Sequence, residues 1–164
     1  IIEKLFSFTD MKNHWAEKIV VRLYHEGVVK GISETEFAPD AALTKNQAAW
    51  LVMRALGLVA DENAADAAYA AGLSQIQEMG NAPVSREAFA EIVMRGYEQA
   101  RGGYKIPVGQ ILYQDQEQIQ SEYVQFVLGA NELGLMQGDT EQNFNPTAFL
   151  TRAEASAVIR RLMQ

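Results

Sequence analysis

Seven residues of this chain recur in the same order at one constant offset, and no other feature of the sequence restricts its fold as severely. Gly27, Gly31, Phe37, Pro39, Leu43, Thr44 and Ala48 return as Gly134, Gly138, Phe144, Pro146, Leu150, Thr151 and Ala155, each pair 107 positions apart. One supersecondary unit has been copied, and a copied unit must bury its apolar face against its neighbours. The offset is too long for a single helical hairpin, so a further unit is expected between the copies. A shortened one is present. Val84-Ser85-Arg86 answers to Leu43-Thr44-Lys45 and Leu150-Thr151-Arg152, and Gly72-Leu73 answers to Gly27-Val28 and Gly134-Leu135. From glycine to hydroxyl residue the outer units take 17 positions and the middle one 13, having lost part of its loop with the Phe-x-Pro. The units fall at 1–57, 58–103 and 104–164, in one compact module.

Local signals describe an all-α chain with two helices per unit. In the first unit Trp15, Ile19 and Leu23, with Val20 beside them, form an apolar stripe on a helix that Gly27 can end in a left-handed cap. Asp10 and Asn13 are its candidate N-caps. Phe37 is expected to plug the gap between helices, and Pro39 to stop early helix propagation. A second helix runs from Thr44 through Ala48, Leu51, Val52 and Leu56 to Gly57. The third unit repeats this with Phe126, Val127 and Ala130 before Gly134, then Ala155, Val158, Ile159 and Leu162. The middle unit offers an Ala-rich helix over Ala64 to Ala71 and a second through Ala88, Phe89, Ile92, Val93 and Tyr97. Gly102-Gly103 to Gln110 reads as the longest linker, and short extended pieces near Phe8 or Ile111 are the only strand signals.

Composition removes several function classes. A chain of 164 residues with 48% hydrophobic and 21% charged residues has enough apolar material for a proper core. Its net charge of −7 opposes nonspecific nucleic-acid binding, which depends on neutralising phosphates with Lys and Arg. Without cysteine there are no disulfides and no thiolate metal sites. Ile1-Ile2 is interrupted at once by Glu3 and Lys4, so this stretch is expected to be neither a signal peptide nor a membrane span, and any export signal would lie upstream or have been removed.

The helix starts carry the chemistry. Thr44-Lys45-Asn46-Gln47 and Thr151-Arg152-Ala153-Glu154 match the capping box, which gives Thr44, Gln47, Thr151 and Glu154 a structural purpose. Lys45, Arg86 and Arg152 sit at the first helical position, where the positive end of the helix dipole gives a cation nothing. A cation there in all three units suggests an anionic ligand, with backbone N–H groups of the helix start converging on the same carboxylate or phosphate. An ion pair with an acid of a neighbouring unit is the alternative.

Taken in order, Phe8-Thr9-Asp10, His14-Trp15-Ala16, Gly27-Val28-Val29-Lys30-Gly31, Phe37-Ala38-Pro39 and Leu43-Thr44-Lys45, with Leu150-Thr151-Arg152-Ala153-Glu154 in the third unit, resemble the S-layer homology family. The resemblance covers nearly the whole chain and is weakest in the middle unit, where Val84-Ser85-Arg86-Glu87-Ala88 displaces the acid by one position. In the third unit Tyr113-Gln114-Asp115 replaces Phe-x-Asp, and His-Trp-Ala is missing. The resemblance implies three helical repeats in a pseudo-threefold arrangement around a central helix bundle, with grooves between adjacent repeats. It further implies noncovalent anchoring of an exported bacterial protein at the cell wall, through a secondary cell-wall polysaccharide bearing pyruvylated amino sugars. The ketal carboxylate suits the planar fork of Arg better than Lys, which puts Arg152 first, Arg86 second and Lys45 third.

The candidate ligand-binding residues are accordingly Arg152, Arg86, Lys45, Trp15, Gly31, Gly138, Asp10 and Asp115. Trp15 has two readings, core burial on its helical stripe or stacking on a sugar face, and the stripe favours the core. Trp50 reads as core or inter-repeat packing. Asp10 and Asp115 read as helix caps first and ligand contacts second. His14 and His25 have no partner at ligand spacing, and Gly138-Asp139-Thr140-Glu141-Gln142-Asn143 lacks the sixth-position glycine of a calcium loop, so no metal and no cofactor are expected. No nucleophile elbow, phosphate loop or carboxylate pair is found, so an enzyme ranks below a binding module. The second hypothesis is a protein-interaction or self-assembly module that contacts other surface-layer subunits without glycan.

Overall fold

A computed structural model describes residues 6–58, 64–77, 80–102 and 113–164. Within them lie six helices: α1 (Glu17–His25), α2 (Lys45–Ala55), α3 (Ala64–Ala70), α4 (Arg86–Arg101), α5 (Val124–Glu132) and α6 (Arg152–Leu162). The fold is all-α. The long helices α2, α4 and α6 start where the hydroxyl residues place them. Thr44, Ser85 and Thr151 keep extended backbone and accept from the N–H three residues on, at 3.1, 3.3 and 3.1 Å. Both expected capping boxes are complete, with Gln47 and Glu154 reaching back to the cap N–H groups. Gly27, Gly72 and Gly134 adopt φ of 76, 77 and 71°, a region a side chain avoids, and each follows the outer helix of its unit.

The outer helix of the first unit is shorter than its apolar pattern suggests. Asn13 turns to φ 63° and its N–H is held by Glu17 Oε2 at 3.1 Å, so the helix begins only at Glu17, with no side-chain cap. Asp10 and Asn13 are therefore not its caps. Trp15 falls before the helix and is 62% exposed, while Ala16, Val20 and Leu23 take the buried places. Core burial of Trp15 is thus corrected: the turn at Asn13 rotates it off the stripe.

The helices α2, α4 and α6 meet one another at the centre. Around them α3 packs on α2, α5 on α4 and α1 on α6, so the outer helix of each unit leans on the central helix of the unit before it. The ring closes by placing the first helix on the last. At the junctions the backbone forms a cycle: Leu43 N–H donates to Leu150 O at 2.7 Å, Leu150 N–H to Val84 O at 3.3 Å, and Val84 N–H to Leu43 O at 2.9 Å. Three isolated antiparallel bridges surround it, pairing Thr44 with Pro83, Ser85 with Phe149 and Thr151 with Ala42. These bridges replace the extended pieces expected near Phe8; among the described residues there is no strand. Ile111 and most of the linker from Gly102-Gly103 to Gln110 lie outside the described residues.

Candidate functional site

The cation that opens each central helix reaches across to a neighbouring unit. Arg152 of α6 lies against the loop of the first unit, its Nε donating to Phe37 O and its Nη2 to Lys30 O, both at 2.8 Å. Its guanidinium carbon stands 4.5 Å from the centroid of the Phe37 ring. Arg86 of α4 treats the third unit in the same way, with Nε on Phe144 O at 2.8 Å, Nη2 on Gln137 O at 3.0 Å, and the Phe144 ring 5.0 Å away. Lys30 and Gln137, like Phe37 and Phe144, are equivalent in the repeat, so the copied sequence is a copied guanidinium seat. Burial pulls both guanidinium pKa values down; Asp10 opposes this at Arg152, and Glu154 foremost at Arg86. Arginine stays charged through such shifts.

Each seat is shaped by an aspartate. Asp115 accepts from Phe144 N–H and Asn145 N–H, both at 2.8 Å, and Asp10 from Phe37 N–H at 2.9 Å and Ala38 N–H at 2.7 Å. Neither caps a helix by its side chain, which corrects that expectation. Both carboxylates are committed to the loop, where Asn145 and Ala38 take φ of 57 and 58°. Phe37 and Phe144 are thereby held on both sides, N–H by aspartate and C=O by arginine.

Gly31 and Gly138 line the clefts beside these seats. A Cβ on Gly31 would press on Ser33 O and lie 2.6 Å from both Glu36 O and the Phe8 ring. On Gly138 it would lie 2.8 Å from the Tyr113 ring and 2.9 Å from Asn143 O. The glycines are there because the loop folds tightly on itself.

Above Arg152 is a cleft of about 160 Å³ walled by Gly31, Gln47 and Trp50. Trp50 is half-buried between two cations, with Lys30 Nζ and the Arg54 guanidinium each 5.1 Å from its ring centroid. Above Arg86 are two adjoining hollows of about 280 and 400 Å³, which share Arg86, Gln137, Gly138 and Glu154. Trp15 and Arg161 line the first, Asp139 and Phe149 the second, and Phe149 is 59% exposed. Trp15, read as core, is a cleft residue; Phe149 carried no sequence signal because its equivalents are Ala42 and Pro83.

The helix-start amides do not face the clefts. The N–H groups of Lys45, Arg86 and Arg152 donate to Ala82 O, Ala148 O and Ala41 O at 2.8, 2.9 and 3.0 Å, and those of Asn46, Glu87 and Ala153 to Gly80 O, Pro146 O and Pro39 O. With the third amide held by the cap hydroxyl, the first three helical N–H groups of each central helix are all engaged. The expectation of backbone help for the ligand is overturned by the ring closure itself.

The third seat is filled. Lys45 is only 2% exposed, and its Nζ has no hydrogen-bond partner among the described residues. Glu91 stands at the place of Trp50 and Ala157; its carboxylate accepts from Gln75 N–H at 3.2 Å and Gln75 Nε2 at 2.6 Å, with Arg95 Nε 3.4 Å away. Burial holds the Lys45 pKa below the usual lysine range, with Glu91 opposing. Below the folded pKa both folded and unfolded states are protonated and the cost of the buried charge is whole; it fades as pH rises into the ordinary lysine range. Lys45→Met is expected to stabilise the fold by about 1 kcal/mol at pH 7, an advantage that shrinks in alkaline urea titrations. A loss of stability at pH 7 would show that the ammonium is needed.

Helical units closed into a ring, with an arginine beneath each of two open clefts between them, define a compact helical repeat module. The family model for the S-layer homology domain matches residues 7–49 and 112–156, more than half of the chain, and the chain belongs to that family. Exoglucanase XynX of Acetivibrio thermocellus is 25% identical over 182 residues, covering 100% of this chain and 17% of that protein. The amylopullulanase of Thermoanaerobacterium thermosulfurigenes is 27% identical, covering 96% of the chain and 10% of that protein. The endoglucanase of Bacillus sp. strain KSM-635 is 30% identical, with 96% and 19% covered. The chain thus spans less than a fifth of the length of these curated relatives. S-layer homology domains are non-catalytic modules that anchor proteins at the cell surface and bind cell-wall polymers. None of the described helices is long and apolar enough to cross a membrane.

Proposed function

We propose that this chain anchors a larger extracellular protein noncovalently to an acidic secondary cell-wall polysaccharide, taking pyruvylated amino sugars of the polymer into the clefts between its units. The observation that carries this reading is Arg152. It is a buried cation at the floor of a cleft, and among the described residues it makes no ion pair. Two of its five N–H groups are spent on Lys30 O and Phe37 O, which fix the guanidinium in place; the others make no hydrogen bond to a described residue. A guanidinium with no carboxylate hydrogen-bonded to it, Asp10 acting only from a distance, is a fixed donor for an incoming carboxylate. The side-on edge of the fork is used by the protein, so the carboxylate would meet Nη1. The solvent-exposed face of Trp15 beside Arg86 offers a ring on which a sugar can stack.

Calorimetric titration of the chain with purified secondary cell-wall polysaccharide, beside the same polymer stripped of pyruvate, tests the proposal. Binding that weakens about tenfold or more on loss of the pyruvate is expected. Absence of binding to both polymers would overturn it, and concentration-dependent light scattering without glycan would then favour self-assembly.

A further inference from the structure

The two arginine seats are superimposable in kind, and one of them already holds a carboxylate. Glu154 Oε2 lies 3.1 Å from Arg86 Nη1, an ion pair inside the second cleft. The other oxygen of Glu154 is tied to Thr151 N–H, as Gln47 Oε1 is tied to Thr44 N–H. Gln47 and Glu154 are equivalent in the repeat and line equivalent clefts. With its oxygen engaged at the cap, Gln47 has only its amide NH₂ at the place where Glu154 has its second oxygen. The first cleft is thus lined by two donors, the Gln47 amide and the Arg152 guanidinium, where the second pairs a donor with its acceptor. Other charges lie near both clefts, Lys30 and Arg54 against Trp50 and Asp10 near Arg152 at the first, Arg161 and Asp139 in the walls of the second, so the contrast rests on Gln47 and Glu154.

We propose that Gln47 and Glu154 decide which cleft takes the acidic sugar: the Arg152 cleft binds the carboxylate, and the Arg86 cleft, with Glu154 seated on its arginine, takes an uncharged sugar against Trp15. This rests on the anchoring reading above and assigns its two clefts different sugars. An acidic ligand entering the second cleft must displace Glu154 or face it, and either lowers affinity for the anion.

The test uses a methyl glycoside of an N-acetylated amino sugar carrying a pyruvate ketal, and the same glycoside without the ketal, titrated calorimetrically into the wild type, Glu154→Gln and Gln47→Glu. Both substitutions leave a residue already known at that position of the capping box, so the helix starts are kept. The chain has two tryptophans, and they line different clefts, so their indole N–H signals in NMR report which cleft fills. One ketal site is expected in the wild type, moving Trp50. Glu154→Gln should gain a second, moving Trp15, and Gln47→Glu should weaken the first about tenfold or more. The glycoside without ketal should move Trp15 in the wild type. One ketal site in both the wild type and Glu154→Gln, or two in the wild type, overturns this inference while the anchoring reading stands. No ketal binding by any of the three proteins overturns both.

Discussion

Arg152→Ala is expected to lower the stability of the fold by about 3 kcal/mol, besides removing ketal binding in the first cleft. The residue starts a helix of the last unit and is bonded to two carbonyls of the first, 115 and 122 residues away in sequence. Truncation leaves Phe37 O and Lys30 O without their donor, each loss costing about 1 kcal/mol or more. It also removes the cation 4.5 Å from the buried Phe37 ring, worth about 1 kcal/mol or more. Arg152→Lys restores the charge but not the planar fork, so roughly half the loss should remain. Urea unfolding followed by circular dichroism measures both variants. An alanine variant within about 0.5 kcal/mol of the wild type would show that the arginine is held for ligand alone. The destabilisation also means that loss of binding in this variant does not by itself identify the ligand contact, which is why the Gln47 and Glu154 variants carry that test.

Asp115→Ala should cost about 3 kcal/mol, and Asp10→Ala about half as much. Both carboxylates accept two loop N–H groups at 2.7–2.9 Å, so the removed bonds are alike. Their surroundings differ: Asp115 is buried, whereas Asp10 is exposed and water can reach the amides it would leave. Comparing the two in one protein separates the worth of the bond from the cost of an unpaired buried donor. Equal losses would mean that solvent does not reach the Asp10 loop.

Several parts of this architecture were legible from local spacing. The hydroxyl-to-Gln and hydroxyl-to-Glu steps at Thr44 and Thr151 predict capping boxes, and both are formed, because a capping box is satisfied within four residues and needs no partner elsewhere. Gly27 and Gly134 end their helices as expected for the same reason. Trp15 was misread because its spacing fits a helix that the turn at Asn13 delays to Glu17. Spacing alone ranks Lys45 as a weak third ligand residue; its burial near Glu91, itself bonded to Gln75, depends on residues that only the tertiary fold brings together. Helix-start amides read from sequence as free for a ligand bond instead to carbonyls of other units.

What the sequence determined by itself is the copied unit, its helix starts and stops, and the cation that opens each central helix, all consequences of short-range geometry repeated at a constant offset. The tertiary structure decided how those pieces are shared. The two helices of a sequence unit are not the packed pair: α3 lies on α2, α5 on α4, and α1 closes on α6. A single unit cannot bury its own apolar face, so burial is completed by the neighbour, and the same closure spends the helix-start amides and carries each arginine into another unit's loop. Whether an arginine then meets a glutamine, a glutamate or a filled pocket depends on residues that the chain brings together only when the ring is shut.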